Sequence, residues 1–408
     1  MSILIFCSFE VGGQPFRYAE TLNRLGVPVY YISLASGARG HDSTAFHFGA
    51  PCYTWDLSKE CAARSTAGVI ASLRRVTRKY GINSCFATGG QAYLLAEAGL
   101  SYKYWCYGSD LDQMCFSPQL PTLANVAKRS TWTSLALHLM DGWKYRKSIT
   151  QAKAVMVAPY QRASLNTISP GAARFFLPHL LAAPTFNDVW KIKTESQTIL
   201  RRQYHAETLF FSSARHYWSG SKARNSDNKG NNKVLEAFAR HLASSGRQTD
   251  KLVLISKGPD VKASRDMALR LGIVDSVIWE HEVPRERLFF LYAGATLCFG
   301  QFGTPVLTYA ALEPLATGTP CISHFLADEH SRDDFYEALP PIWNCRDTSD
   351  TAQIMTNLSA ADDQEYKQIC FESWRWVNKH CSELAFMKSF IGEFDHSLKS
   401  TLPNGIPP

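Results

Sequence analysis

The feature that most constrains this chain is an alternation that completes itself and then starts again. Strand-length apolar runs alternate with longer stretches of helical spacing. Ile3–Phe9 is apolar and ends at Glu10-Val11-Gly12-Gly13, and Gln14–Leu25 carries Phe16, Ala19, Leu22 and Leu25 on one helical stripe. Val27–Ser33, Ser84–Thr88, Lys103–Tyr107, Ala154–Ala158 and Arg174–Leu177 read as further strands, with helices predicted over Thr66–Tyr80 and Gln91–Gly99 and a long helical region after Tyr107. The cycle restarts at Thr208–Ser213. It continues through the strands Leu252–Ser256, Val277–Trp279, Ala295–Phe299 and Cys321–Ser323 and the helices Asn231–Ser244, Val261–Leu271, Pro284–Tyr292 and Val306–Thr317. Strands alternating with helices predict an α/β chain of two Rossmann-like, doubly wound domains with parallel sheets covered on both faces.

Size agrees with two cycles. A chain of 408 residues exceeds one ordinary core and suits two domains of about 150–200 residues each. The predicted division is 1–180, a linker over 181–206 that starts with the Pro and small residues of Leu180–Asn187, a second domain over 207–362, terminal helices over 363–400 and a tail over 401–408. Hydrophobic residues at 45% and charged residues at 19% exclude a disordered chain. The start, Met1-Ser-Ile-Leu-Ile-Phe-Cys, lacks the basic flank of a signal peptide. No window reaches roughly 18 uninterrupted apolar residues, the length a spanning helix needs. The 11 cysteines show neither C-x-x-C pairs nor zinc-type spacing, which predicts reduced, mostly buried thiols in a cytoplasmic protein.

Ligands of open parallel sheets sit beyond the carboxyl ends of the strands, so the loops there are the places to look. Gly12 and Gly13 open the first helix, where backbone and helix terminus can approach an anion, although the pattern is not a dinucleotide fingerprint and a tight turn is the plain alternative. Tyr107-Gly108-Ser109-Asp110 ends another strand. Asp110 and Asp112 form a D-x-D that could ligate a metal, cap a helix, or present Asp110 as an acid–base group. In the second half, Arg215 follows the first strand, and Lys229-Gly230 opens the next helix after a polar loop. A guanidinium and an ammonium beside a helix terminus suit a diphosphate. Glu313, in a small and apolar segment, needs a partner: ribose hydroxyls, or a salt bridge.

These segments resemble the nucleotide-sugar domain of GT-B glycosyltransferases, nearest to family 4. The matching phrases are SSARHYW…NKGNNKVLEAFA, LVLISKGP, LGIVDSVIW, LFFLYAGA and ALEPLATGTPCIS, spread over about Thr208–Ser323. The first half matches only in its Gly-Gly loop, an R-x-x-A-x-x-L-x-x-x-G phrase and YGSD. The resemblance implies GT-B architecture, with two domains facing a cleft and terminal helices crossing back to the first. It implies that Arg215 and Lys229 bind the donor diphosphate and stabilise the leaving nucleotide, with Asp110 as a further catalytic candidate. Glu313 would hold the ribose, Gly12 and Gly13 would lie near donor phosphate or acceptor, and Glu282 would border the nucleobase. The donor substrate would be a nucleotide-diphosphate sugar, with no cofactor and no essential metal, and transfer would retain configuration. One departure stands out. The family's second Glu, eight positions before the ribose-binding one, is Pro305 here, and its Phe-Gly is Leu307-Thr308. Gln301, Phe302, Gly303 and Thr304 are the candidates for the missing sugar contacts. The departure leaves open a GT-B-shaped scaffold or a nucleotide-sugar epimerase.

The charge is divided unevenly. Residues 1–180 hold 18 Lys and Arg against 9 Asp and Glu, and residues 181–408 hold 25 against 27. Arg74, Arg75, Arg78 and Lys79 share one helix, while Lys128, Arg129, Lys144, Arg146 and Lys147 flank the apolar stretch Trp132–Trp143. That pattern suits a helix lying in a membrane interface, or one packed into the core with solvated ends. Together with the GT-B resemblance, it implies a glycan or lipid-linked acceptor in bacterial surface glycan assembly and peripheral attachment on an anionic membrane surface, with a soluble or polymeric acceptor as the alternative. No aromatic–basic motif points to nucleic acid.

Overall fold

A computed structural model describes residues 2–8, 14–34, 56–61, 65–106, 111, 115, 129–157, 161–181, 184–220, 228–326 and 338–394. They belong to two compact units, Met1–Leu180 with Phe386–Pro408, and Leu181–Ala385.

The first unit opens with β1 (Ser2–Cys7), a continuous apolar run because a central parallel strand is covered on both faces. There follow α1 (Gln14–Arg24), β2 (Val29–Ser33), α2 (Ser58–Cys61), α3 (Thr66–Lys79), β3 (Ile82–Thr88), α4 (Tyr93–Glu97), β4 (Tyr102–Trp105), α5 (Arg129–Thr150), β5 (Ala154–Met156) and α6 (Arg162–Ile168). The strands pair in parallel in the order β2-β1-β3-β4-β5. The segment read as a strand at Arg174–Leu177 contributes only one bridge, Arg174 to Val155. Pro178 follows it and the Leu177 amide points to the Met156 sulfur at 3.3 Å, so no ladder extends.

The second unit contains α7 (Phe186–Tyr204), β6 (Leu209–Ser212), α8 (Asn231–Ser245), β7 (Lys251–Ile255), α9 (Val261–Arg270), β8 (Val277–Glu280), α10 (Arg285–Gly294), β9 (Leu297–Phe299), α11 (Tyr309–Ala316), β10 (Cys321–Ser323), β11 (Trp343–Asn344), α12 (Thr348–Ala360) and α13 (Asp363–His380). Its strands are parallel in the order β11-β10-β9-β6-β7-β8. The chain moves outward from β6 to β8, then returns to the other side of β6 with β9. The switch point therefore lies between β6 and β9.

Two expectations change. The stretch 181–206 is no linker, because most of it is the helix α7, capped by the Thr185 hydroxyl and ended by His205 in the left-handed region. Its buried face is Val189, Lys193, Ser196, Gln197 and Leu200. Three of these are polar, which hides the periodicity. The wholly buried Lys193 ammonium donates to the carbonyls of Ala293 and Ala295 and to the Thr319 hydroxyl, at 3.2, 2.9 and 2.8 Å. The terminal helices also do not travel together. The helix α13 stays in the second unit, where it packs on α11 and α7, and only the last helix, α14 (Glu383–Phe394), enters the core of the first.

There, Phe386, Met387, Phe390 and Ile391 close one face of the sheet. Phe386 stacks on Tyr18 with ring centroids 4.4 Å apart, and Tyr18 stacks in turn on Trp105 at 5.6 Å. Lys103 secures the end of α14 through the Glu393 carbonyl and carboxylate, at 2.6 and 2.7 Å. All ten described cysteines are buried, and none of the described helices is long and apolar enough to cross a membrane.

Candidate functional site

The switch point of the second sheet places two loops side by side, the one after β6 and the one after β9. Backbone bonds join both to the start of α8. The Lys229 amide donates to the Tyr217 carbonyl at 2.8 Å, the Phe302 amide to the Lys229 carbonyl at 2.9 Å, and the Thr304 amide to the Asn228 carbonyl at 3.0 Å. Asn231 completes the link: its side chain accepts from the Tyr217 amide and donates to the Ala214 carbonyl, both at 3.2 Å.

Glycine makes this approach possible. Gly230 has φ +65°, and a Cβ there would lie 2.7 Å from the Gly303 nitrogen. A Cβ on Gly303 would lie 2.5 Å from the Asn228 carbonyl carbon. Both contacts are below any ordinary van der Waals separation, so neither position admits a side chain without displacement. Gly258, at φ +110°, lets the loop after β7 reach His216 in the same way. The His216 amide donates to the Lys257 carbonyl at 2.6 Å and its carbonyl accepts from the Asp260 amide at 3.1 Å.

Sequence candidates come together on this frame. The Lys229 ammonium donates to the Gln301 side-chain oxygen Oε1 at 3.0 Å, and the Gln301 side-chain nitrogen Nε2 donates to the Thr304 carbonyl at 2.9 Å. Gln301 is 1% exposed and its backbone is fixed by Ser323, whose hydroxyl accepts from the Gln301 main-chain N–H and donates to its main-chain carbonyl. Arg215 is exposed, with its guanidinium 5.5 Å from the centre of the Tyr217 ring. Glu282 is exposed and ion-paired with Lys257. Gly12, Gly13, Asp110 and Asp112 lie outside the described residues.

Glu313 is 5% exposed. One carboxylate oxygen meets the Arg285 guanidinium at 2.6 Å and the other accepts from the Tyr292 hydroxyl at 3.2 Å. Tyr292 also meets the Ser213 hydroxyl at 2.7 Å, which ties Glu313 to the loop after β6. Burial and the Glu313 charge push the Tyr292 phenol well above its ordinary value. A salt bridge therefore exists, and each carboxylate oxygen keeps a second lone pair for a hydroxyl donor.

The sequence reading missed Lys233, Arg285, Tyr292 and Asn231. Lys233 sits in the first turn of α8, with its ammonium 3.2 Å from the Phe302 carbonyl. Burial, then the Arg346 charge, holds it below the ordinary lysine value. Burial and the charges of Lys233 and Arg346 lower His324 as well. The field at this helix terminus is thus positive, as anion binding requires. The spacing of Lys229 and Lys233 could have revealed the second lysine. No local signal joins Arg285 to Glu313, which lie 28 residues apart.

Among the described residues no group of three His, Cys, Asp or Glu side chains could hold a metal ion. The arrangement offers cations and a helix terminus to phosphate oxygens, and a buried carboxylate to hydroxyls.

No protein-family model matches the chain, and no curated protein matches it by sequence. Its structure is that of a GT-B protein, with two α/β units each built on a parallel sheet. HepE from Anabaena, solved in complex with UDP, is 13% identical, with 98% of this chain and 99% of that chain covered at a TM-score of 0.59. A glycosyltransferase from Rickettsia africae is 12% identical, with 99% of each chain covered at 0.61. WaaG, a glycosyltransferase involved in lipopolysaccharide biosynthesis, is 14% identical, with 97% and 100% covered at 0.57. At such identities the likeness establishes the fold.

Proposed function

We propose that this protein is a metal-independent, hexosyl-type glycosyltransferase that moves a sugar from a nucleotide-diphosphate donor to an acceptor hydroxyl. The observation that carries the reading is the positive terminus of α8, where Lys229 is held by the buried Gln301 beside the Arg215 loop. HepE was solved with UDP and with UDP-glucose, which is the donor chemistry this site suits. The acceptor oxygen bonds to the anomeric carbon as the bond to the diphosphate breaks, and its electron pair leaves with the nucleotide. Lys229 and Arg215 stabilise that developing charge. Glu313 accepts from the ribose hydroxyls, and Glu282 borders the base. Gly303 and Thr304, on the loop anchored by the buried Gln301 and by Phe302, whose ring packs in the core, serve the sugar; Gly12 and Gly13, for the donor phosphate or the acceptor, and Asp110, as an acid–base group, carry over from the sequence reading alone. Retention of configuration follows from the family-4 resemblance.

Calorimetric titration with UDP and GDP tests the reading. The wild type should bind one of them, and Arg215→Ala and Lys229→Ala should each bind about tenfold to a hundredfold more weakly, the range for losing a charged hydrogen bond. No binding of either nucleotide by the wild type overturns it. Pro305 favours a second reading, a GT-B-shaped scaffold or an epimerase. Transfer from a panel of donors onto membrane extracts removes the scaffold, and isomerisation of donor without acceptor supports the epimerase.

We further propose an acceptor of a bacterial surface glycan or glycolipid, met at an anionic membrane. Along α5, Trp132, Leu139, Met140 and Trp143 are each 48–54% exposed, and their spacing places them on one helical face. Arg74 of α3 donates to the Glu97 carbonyl at 2.7 Å, and Lys147 of α5 pairs with the Glu97 carboxylate. The basic edge of α3 and the apolar stripe of α5 therefore meet at α4. Tryptophan with basic neighbours is the composition of an interfacial helix.

A further inference from the structure

Two contacts locate the base side of the donor site. The Lys257 carbonyl accepts the His216 amide at 2.6 Å, which holds the loop after β7 against the residue that follows Arg215. The Arg285 guanidinium meets Glu313 at 2.6 Å, which holds the loop after β8, residues 281–284, against the carboxylate proposed for the ribose. With the diphosphate at Arg215 and the ribose at Glu313, the base falls to the loops after β7 and β8.

These two loops are joined to each other. The Ser256 amide donates to the Glu280 carbonyl at 2.7 Å. Further along the same two loops, the Lys257 ammonium pairs with the Glu282 carboxylate. This contact engages one oxygen of Glu282, Oε1, and one donor of Lys257. A carboxylate has about four lone-pair sites on its two oxygens, and an ammonium has three donors. Among the described residues Glu282 Oε2 has no hydrogen-bond partner. The side chains of Lys257 and Glu282 are 40% and 65% exposed, so a ligand can reach both. The base side therefore presents one cation next to one carboxylate that has a whole oxygen to spare.

That pattern selects among bases. The fitting edge needs an acceptor for Lys257 and donors for Glu282. Guanine presents O6, then N1–H, then N2–H₂, which is one acceptor followed by two adjacent donors. The two donors meet the two carboxylate oxygens together, a paired and charge-assisted geometry, while O6 meets the ammonium. Uracil presents a single N–H between two carbonyls, so one carbonyl opposes the carboxylate. Adenine and cytosine each carry one amino group beside a ring acceptor, and offer the carboxylate one donor. We infer that the donor nucleotide carries guanine, selected by Glu282 and Lys257. This selection rests on the transfer reading, which supplies the positions of phosphate and ribose.

Calorimetric titration of the full chain with GDP, IDP, UDP, ADP and CDP tests it. GDP should bind about tenfold more tightly than UDP, ADP or CDP. IDP keeps O6 and N1–H but lacks the N2 amino group. It should bind roughly fivefold more weakly than GDP, the scale of one exposed charged contact. In Glu282→Ala, GDP should lose its advantage over IDP, and UDP should bind no more weakly than to the wild type. Lys257→Ala should weaken GDP and IDP alike, since both keep O6. Both side chains are at the surface, so the variants should fold. If UDP, ADP or CDP binds as tightly as GDP, the guanine selection is overturned and the transfer reading stands. If the GDP–IDP difference survives Glu282→Ala, or Lys257→Ala leaves both affinities intact, the assignment to these residues is overturned. If the wild type binds none of the five, the transfer reading fails and the selection with it.

Discussion

The two units share a sheet design but fix their surroundings differently. In the second, the loops at the switch point are bonded to one another through the backbone, with Gly230 and Gly303 at points of close approach. In the first, order comes from side-chain packing. The helix α14 seals an aromatic core of Tyr18, Trp105 and Phe386, and the excess of cations lies along helices rather than in a knot of loops. The contrast teaches that a pre-organised small-ligand site needs exact backbone approach, whereas a broad surface needs only charge and exposed rings on rigid helices.

Glycine substitution breaks this comparison most severely. Gly258→Ala should destabilise the second unit by about 3 kcal/mol, combining left-handed strain with overpacking, because its Cβ would lie 2.8 Å from the His216 nitrogen and closer still to the carbonyl oxygen. Gly246 has φ +69° with nothing within 4 Å, so Gly246→Ala should cost only about 1 kcal/mol of strain. Thermal unfolding of the two variants reads the difference. Equal losses would mean that backbone approach does not organise these loops.

The same contrast explains what the sequence revealed. Most strands were legible because parallel strands buried on both faces are unbroken apolar runs, as in Ile3–Phe6 and Leu252–Ile255, whereas the two-residue β11 has no such run and Arg174–Leu177 has one without forming a strand. Lys229-Gly230 and Gly303 were legible because motif and backbone geometry coincide there. The helix α7 was not, since Lys193, Ser196 and Gln197 face inward and satisfy carbonyls or hydroxyls that only the folded chain brings near. Arg285 was not, because the residue it neutralises arrives from another helix. The first unit's candidates rest on Gly12, Gly13 and Asp110, which lie outside the described residues.

Acid sharpens the comparison next, because each unit holds a buried histidine whose pKa is strongly lowered. Burial lowers both His179 and His216 from 6.5 to about 4. The folded form stays neutral in that interval while the unfolded chain takes up protons below about 6.5. Stability should therefore be level above pH 6.5 and fall as pH drops towards 4, by about 2 kcal/mol per histidine between pH 7 and pH 5. Denaturant unfolding of the wild type and of His216→Gln at both pH values checks this. The variant should shed only the part due to His216 and keep that due to His179 and to His324, which is lowered as well. An unchanged dependence would show that His216 charges in the folded state.

The smallest expected effect concerns the surface of the first unit. Sedimentation with vesicles containing phosphatidylglycerol should exceed that with neutral phosphatidylcholine and weaken with salt. Arg78, exposed on α3, should contribute about 1 kcal/mol, so Arg78→Gln should bind roughly fivefold more weakly. Lys147 is already matched by the Glu97 carboxylate and lies 5.1 Å from the centre of the Trp143 ring. Its charge is partly spent within the fold, and Lys147→Gln should weaken binding less than Arg78→Gln. Trp143→Ser should reduce binding to both kinds of vesicle, since its contribution is apolar. If both cation variants bind as the wild type does, then the charge of this unit serves an acceptor other than an anionic membrane.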